Sequence, residues 1–362
     1  MDWILIFAAL FLAFNNGAND NFKGFATVWG SETLSYRQAL ILATLATLAG
    51  SIATFFLADN LIQQFSGRGL VPNAVANTPV FIASVAIGAA ITVYLATKLG
   101  FPISTTHALF GGLVGAGLGH TSGHVHFEKL LHSFAIRMIL SPILAASLGV
   151  MIYKFIGSRK RINDCACVVA DMPNVVRLQV NLASSTSFGM PMPSMLVSND
   201  DLCDQVKPVV RLSIPKFLQK IHIASGVTIC FARAVNDTPK LAALLFAAQF
   251  TNQKLPILLI GIFMAVGGIL FAKKVATTMS KKVTRLDDEQ GLTANLITAT
   301  LVLMASKFGL PVSTTHVSVG AIAGVGASAG TLNGQALRSI LLSWLATLPL
   351  ALVIAWMVTK LL

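Results

Sequence analysis

Lys98-Leu99-Gly100-Phe101-Pro102-Ile103-Ser104-Thr105-Thr106-His107 and Lys307-Phe308-Gly309-Leu310-Pro311-Val312-Ser313-Thr314-Thr315-His316 are one motif written twice, 209 positions apart. A second pair keeps the same order. Gly17-Ala18-Asn19-Asp20-Asn21-Phe22-Lys23 precedes the first copy, and Ala234-Val235-Asn236-Asp237-Thr238-Pro239-Lys240 precedes the second, 217 positions later. Two motifs recurring in one order at nearly one offset mark a duplicated architecture. Internal repeats with interrupted apolar segments are the pattern of secondary transporters, whose sites lie near mid-membrane at the repeat interface.

The composition agrees. Of 362 residues, 55% are apolar and 11% charged, where soluble domains carry about 25% charged residues. Mean hydropathy is +0.75. These values exclude a soluble enzyme, a disordered chain and a collagen-like fibre, and they point to a polytopic membrane protein. The net charge of +12 is read as Lys- and Arg-rich cytoplasmic loops, not as a nucleic-acid footprint. Four Cys in the chain make no disulfide framework. Met1-Asp2-Trp3 passes directly into an apolar run with neither a basic n-region nor a small-residue cleavage site, so that run reads as a retained span.

Working outward from the repeated motifs, apolar stretches fall at 3–30, 38–58, 78–99, 101–119, 130–156, 217–250, 255–272, 291–308, 310–329 and 337–361. Between them, 157–216 is polar and holds no window able to span a bilayer. The expected organisation is a first membrane repeat over 1–156, a cytoplasmic insert or small soluble domain over 157–216, and a second repeat over 217–362. Val175–Val180 alternates weakly and reads as a strand. The expected fold is an all-α polytopic membrane protein of two inverted-topology repeats, with interrupted helices, possible re-entrant hairpins and about 10–12 membrane segments. Basic residues of the insert (Arg159, Lys160, Arg161) and of 273–285 (Lys273, Lys274, Lys281, Lys282, Arg285) place both loops in the cytoplasm. Five segments on each side of the insert then put both termini outside.

An Asp at the centre of a membrane segment costs about 2.5–3.5 kcal/mol on insertion scales. It is tolerated where it faces a cavity, a cation or a partner. Gly17 and Pro239 suit interrupted helices, whose free carbonyls attract cations and whose N-termini attract anions. The bland alternative is i,i+3 pairing of Asp20 with Lys23 and of Asp237 with Lys240. In the Ser-Thr-Thr-His motifs the hydroxyls either cap helix N–H groups or face an oxyanion. His107 and His316, at the motif ends, read as proton relays or as helix-packing donors. Cys165, Cys167 and Cys203 read as cytosolic thiols before a soft-metal site, and His120, His124 and His126 as a polar loop before a zinc site.

These residues resemble the inorganic phosphate transporter family, the sodium- or proton-coupled phosphate permeases. The likeness rests on Gly17-Ala18-Asn19-Asp20, Trp29-Gly30-Ser31, both Gly-[Phe/Leu]-Pro-[Ile/Val]-Ser-Thr-Thr-His stretches, and Thr284-Arg285-Leu286 with Gly291-Leu292. It covers both membrane halves and leaves out most of 157–216. It implies a multi-pass protein of the cell membrane, often a homodimer, that is not an enzyme and carries no cofactor. It implies symport of inorganic phosphate or a similar oxyanion by alternating access, with a proton or sodium as coupling ion. Carried over by position, the substrate site is Asn19, Asp20, Ser104, Thr105, Thr106, Asn236, Asp237, Ser313, Thr314 and Thr315, with any sodium near Asp20 and Asp237.

The chain departs from the family at telling places. Lys23 and Lys240 stand where a second Asn is common, Thr47 and Asn295 where an acidic residue is common, and Arg233 where a His is common. An ammonium offers donors only, whereas a sodium site needs oxygen ligands. Lys23, Lys240 and Arg233 are therefore read as charge-compensating groups that favour an anion and disfavour sodium. Competing readings are a permease for sulfate or another oxyanion, an anion channel, or an intramembrane enzyme. An enzyme would need a nucleophile and base assembled as a unit, and no such motif occurs.

Overall fold

The structure, a computed structural model, describes residues 2–57, 71–76, 78–120, 125–126, 128, 136–156, 165–169, 194–198, 205, 209–246, 254–310 and 312–362. The chain divides into two compact units, one of Met1–Phe155 with His222–Leu362 and one of Ile156–Ile221.

In the larger unit the apolar stretches form helices. In chain order they are α1 (Asp2–Asp20), a 3-10 turn (Lys23–Phe25), α2 (Ala26–Gly30), α3 (Tyr36–Leu57), α4 (Asn73–Ala76), α5 (Pro79–Leu99), α6 (Thr105–His120) and α7 (Ile136–Ile156). After the insert come α8 (Ile214–Phe246), α9 (Lys254–Phe271), α10 (Lys273–Thr277), a π-helical turn (Thr278–Lys282), α11 (Asp288–Lys307), α12 (Thr314–Ala329) and α13 (Gly334–Leu361). Among the described residues, five helices are long and apolar enough to cross a bilayer: α3, α5, α7, α9 and α13. The interior holds an apolar core and, unlike that of a soluble protein, a set of charged side chains as well. Trp3, Phe7, Phe56 and Phe155 are exposed, while Asp20, Lys23, Arg233, Asp237 and Lys240 are buried. Apolar side chains outward and charges inward is the arrangement a lipid solvent selects.

The repeated Ser-Thr-Thr-His motifs take the same local shape. α5 ends at Gly100, with φ of 79°, and α11 runs into Gly309, with φ of 63°; a left-handed φ is open to glycine without strain. Further on, Ser104 or Ser313 caps the next helix. His107 N–H donates to Ser104 Oγ at 3.1 Å and His316 N–H to Ser313 Oγ at 3.2 Å. The helices so started, α6 and α12, have 16 residues each. At 1.5 Å per residue they reach about 24 Å, short of the ~30 Å hydrocarbon core.

Each short helix is clasped by the last helix of the other half. A Cβ built at Gly111 or Gly115 of α6 would lie 2.4 or 2.1 Å from the carbonyls of Leu348 or Leu352 in α13. At Gly320 or Gly324 of α12 it would lie 2.5 or 2.2 Å from the carbonyls of Pro142 or Ala146 in α7. Only glycine permits such backbone-to-backbone packing, the mode that replaces hydrophobic burial inside a membrane. Elsewhere α1 packs on α5 and α9, α3 on α9, and α13 on α5.

The two Asn-Asp segments do not share one backbone. The first is interrupted as expected, because α1 stops at Asp20 and a 3-10 turn follows. Gly17 is not the breaking point. It lies inside α1, where a Cβ would sit 1.8 Å from the Met264 carbonyl, so its role is close packing on α9. The second segment corrects the expectation of an interruption at Pro239. α8 continues through Asn236, Asp237 and Pro239 to Phe246; surrounding helices let a membrane helix tolerate the bond that proline removes.

The smaller unit holds a three-stranded antiparallel sheet of β1 (Cys165–Val169), β2 (Ser194–Ser198) and β3 (Val210–Ser213), ordered β2-β1-β3. It is a local exception to a helical chain. The strand expected over 175–180 lies outside the described residues, as do Arg159, Lys160, Arg161 and Cys203. Cys165 and Cys167 are buried on β1.

Candidate functional site

Three helix termini meet inside the larger unit: the end of α1 and the starts of α6 and α12. The middle of α8 joins them. Together they assemble most of the residues singled out above. Asp20 on α1 pairs with Lys23 on the following turn, and Asp237 Oδ1 pairs with Lys240 Nζ one helical turn along α8 at 3.2 Å. The i,i+3 pairing therefore forms in both halves. It does not stay local, because each ammonium also crosses to the other half. Lys23 donates to Thr315 Oγ1, and Lys240 Nζ donates to Thr106 Oγ1 at 3.0 Å. Each also donates to the carbonyl just before the motif serine of its own half, Lys23 to Ile103 at 3.2 Å and Lys240 to Val312 at 3.1 Å. Thr106 and Thr315 are equivalent in the repeat, as are Ile103 and Val312.

The two carboxylates face a common amide. Asn16 Nδ2 lies 3.2 Å from Asp20 Oδ2, 3.4 Å from Asp237 Oδ2 and 3.0 Å from Thr105 Oγ1. Thr105 itself donates to Asp20 Oδ2 at 3.4 Å. Arg233, fully buried on α8, donates through Nη1 to Asn16 Oδ1 at 3.0 Å and through Nη2 to Thr47 Oγ1 at 2.8 Å. Its Nη1 is 4.0 Å from Asp237 Oδ2, and its Nε has no hydrogen-bond partner among the described residues. Thr47 Oγ1 in turn donates to Asn21 Oδ1 at 2.6 Å.

Asn19 and Asn236 point away from the carboxylates of the opposite half and fasten the motifs. Asn19 Nδ2 donates to Thr97 Oγ1 at 2.9 Å and to the Phe101 carbonyl at 3.0 Å, and its Oδ1 accepts from Ile103 N–H at 3.2 Å. Asn236 Nδ2 donates to Asp237 Oδ1 at 3.1 Å and to the Val312 carbonyl at 3.3 Å. Ser306, the repeat equivalent of Thr97, donates to Asn236 Oδ1 at 3.5 Å. Ser104 and Ser313 are helix caps, and Thr314 is buried beside them. Pro311 lies outside the described residues. The motif histidines meet each other, with ring centroids 4.6 Å apart, and the His316 ring lies 3.9 Å from that of Trp344. Among the described residues no three His, Cys, Asp or Glu side chains gather as a metal site would require. His124 lies outside those residues.

Asn16 escapes a reading of the motifs alone. The repeat register contains the signal for it: Asn16 stands four residues before Asp20, as Arg233 stands four before Asp237. The two equivalents are hydrogen-bonded to each other.

A helical membrane fold whose paired short helices start at a buried polar cluster is the architecture of a membrane transporter. The chain belongs to the phosphate transporter family, whose family model matches residues 16–355. It is similar to a candidate phosphate permease of Pyrococcus furiosus, at 30% identity over 99% of this chain and 95% of that protein. It is also similar to the chloroplastic inorganic phosphate transporter 2-1 of Arabidopsis thaliana, at 26% identity over 100% of this chain and 73% of that protein. In fold it matches a solved structure titled the sodium-dependent phosphate transporter, with a TM-score of 0.76, 23% identity, and coverage of 99% of this chain and 98% of the other. The protein is thus a multi-pass membrane transporter and not an enzyme.

Proposed function

We propose that the protein imports inorganic phosphate across the cell membrane as a symporter, by alternating access around the cluster at Asp20 and Asp237, and that its coupling ion is the proton. The observation that carries this reading is the buried charge. Lys23, Lys240 and Arg233 surround Asp20 and Asp237, all five at most 4% exposed. In their ordinary ionisation states they leave one positive charge in excess. Uncompensated buried charge is costly, so the cluster is suited to receive a monoanion. Dihydrogen phosphate neutralises it, whereas sulfate, a dianion, would overshoot. The substrate residues are those carried over by resemblance, Asn19, Asp20, Ser104, Thr105, Thr106, Asn236, Asp237, Ser313, Thr314 and Thr315, with the three cations as the compensating groups.

Sodium is disfavoured for the same reason. Each carboxylate already holds an ammonium. A second unit charge at about 4 Å from that ammonium, with an effective dielectric near 20, would meet roughly 4 kcal/mol of repulsion. The family name and the sodium-dependent structural relative support phosphate as substrate and a coupled mechanism. The departure at Lys23 and Lys240 supports a change of coupling ion. The basic loops favour a cytoplasmic 157–216 with extracytoplasmic termini, and the lack of a spanning window in 157–216 supports the three-part division into 1–156, 157–216 and 217–362. The family resemblance supports a homodimer.

The test is uptake of labelled phosphate into proteoliposomes, with sodium and proton gradients imposed separately and sulfate as competitor. Proton-driven, sodium-independent, sulfate-insensitive uptake is expected. Uptake that requires sodium, or that sulfate competes for equally, would overturn the corresponding part.

A further inference from the structure

A second polar chain runs outside this cluster, from the partly exposed start of α11 to the 3-10 turn that carries Lys23. Asp288 Oδ1 accepts from Ser31 Oγ at 2.8 Å and from Thr33 Oγ1, and it lies 3.1 Å from His222 Nδ1. On its other side the His222 ring meets Thr27 Oγ1 through Nε2 at 2.9 Å. Thr27 Oγ1 is 2.9 Å from Asn295 Oδ1, and Asn295 Nδ2 reaches the Gly24 carbonyl at 3.3 Å and Ser225 Oγ at 3.0 Å. His222 is fully buried. A Cβ at Gly291 would fall 2.5 Å from its Cε1, so the ring is pressed against the α11 backbone and held in this orientation.

The donor directions in this chain are fixed from one end. A carbonyl only accepts, so the Gly24 carbonyl must face the Asn295 NH₂ and not its oxygen. Asn295 Oδ1 then faces Thr27, whose hydroxyl must donate to it. With its proton spent there, Thr27 must accept from His222, so Nε2 carries a hydrogen. On the far side a bare Nδ1 would confront a carboxylate oxygen, lone pair against lone pair. The contact is satisfied only when one further proton lies between them, on the imidazole or on the carboxyl.

We propose that His222 and Asp288 form a proton-binding site, and that its occupancy fastens the Lys23–Gly30 segment to α8 and α11. One proton is taken from water, forming an N–H bond at Nδ1 or an O–H bond at Asp288, and the pair goes from a charge of −1 to neutral. Release breaks that bond and returns the proton to water. The charged groups bearing on the ring from α11 are Asp288 and Asp287. On the Thr27 side the cations are Lys23, engaged with Asp20, and Lys281, over the Trp29 ring at 4.8 Å. On α8 they are Lys220 in sequence and Arg233, engaged with Asn16 and Thr47. Loss of the proton opposes Nδ1 to the carboxylate and loosens the contact with Thr27, three residues beyond Gly24 and four beyond Lys23. The site therefore links a proton near the surface to the position of a substrate-site lysine. That link to transport rests on the proton-coupled reading above; the proton site itself does not.

Two measurements separate these levels. Protein with ¹⁵N-labelled histidine, in lipid nanodiscs near neutral pH, is expected to show one of two signals. One is a doubly protonated ring that is missing from His222→Gln; the other is an infrared protonated-carboxyl band that is missing from Asp288→Asn. Asp288→Asn, whose amide can donate to Nδ1, is expected to leave a single Nε2–H tautomer. Thr27→Ala, which releases Nε2 from donating, is expected to abolish the extra proton as well. Neither signal in the wild type would overturn the proton site. In proteoliposomes, phosphate accumulation driven by a pH gradient is expected to fall at least tenfold in both variants. Unchanged accumulation would overturn the coupling role and leave the site standing. Absence of phosphate uptake by the wild type would overturn the substrate reading alone.

Discussion

The two Asn-Asp segments place the same side chains by different backbones. In the first half the chain leaves the α-helix at Asp20, and Lys23 reaches its aspartate from a 3-10 turn. In the second half Asp237 and Lys240 are neighbours on the unbroken α8, despite Pro239 between them. Charge pairing and cross-contacts to the opposite threonine are common to both. The difference lies in what holds the backbone. The second segment is supported by the helical ladder of α8, one bond short at Pro239, the first by side chains such as Asn295, which reaches the Gly24 carbonyl. The chemistry is duplicated, while the backbone that presents it is not.

The largest test of this comparison is removal of the shared element. Asp20→Asn and Asp237→Asn each leave a buried ammonium without its counter-charge, a loss of about 3–5 kcal/mol for a buried pair. Phosphate uptake is expected to fall by at least about 100-fold in each, with membrane expression retained. Wild-type uptake in both would break the proposed site. Next comes the pair of lysines. Lys23→Asn with Lys240→Asn restores the family pattern at both places, and is expected to bring sodium stimulation of uptake or to raise the KM for phosphate by about tenfold. A kinetically unchanged double variant would reduce the lysines to structural groups.

Smaller effects sharpen the backbone difference. Gly17 and Ala234 are equivalent in the repeat, but a Cβ at Gly17 would meet the Met264 carbonyl, whereas Ala234 already carries a buried Cβ that faces Gly50. Gly17→Ala is expected to lower thermal stability by about 1–3 kcal/mol, as overpacking does. Ala234→Gly should cost about 0.5–1 kcal/mol for glycine in a helix and about 0.8 kcal/mol for the buried methyl it removes. Unchanged stability in Gly17→Ala would mean that the halves are packed alike. Smallest is deletion of 160–212 with a flexible linker, which is expected to leave uptake nearly intact. Loss of uptake in a folded deletion would place the insert in the mechanism.

Much of this was legible in the residues. Ten apolar stretches became ten helices of 16 or more residues among the described ones, because a bilayer leaves a long apolar run no other way to satisfy its backbone. The motif threonines and the lysines could be paired by repeat register. What could not be read was the side of each contact. Lys23 to Thr315 and Lys240 to Thr106 are exchanges between halves, and nothing local encodes which copy a side chain will meet. Pro239 misled because its helix-breaking effect is strong in water and weaker where neighbouring helices enforce the fold. The His222–Thr27–Asn295 chain was invisible because its members come from three distant elements with no shared motif.

The glycine faces of α6 and α12 carry a consequence for how the protein is made. α6, at 105–120, fits backbone to backbone against α13, at 334–361, a helix made more than two hundred residues later. Until that helix arrives, Gly111 and Gly115 have no carbonyl ridge to receive them, and Pro102, whose carbonyl accepts from Trp344 Nε1 at 2.9 Å, has no donor. A first half made alone therefore lacks both contacts. α12, by contrast, finds α7 already in the membrane when it emerges. Translation halted before Gly334 should leave a first half that quality-control proteases can recognise by its unclasped α6.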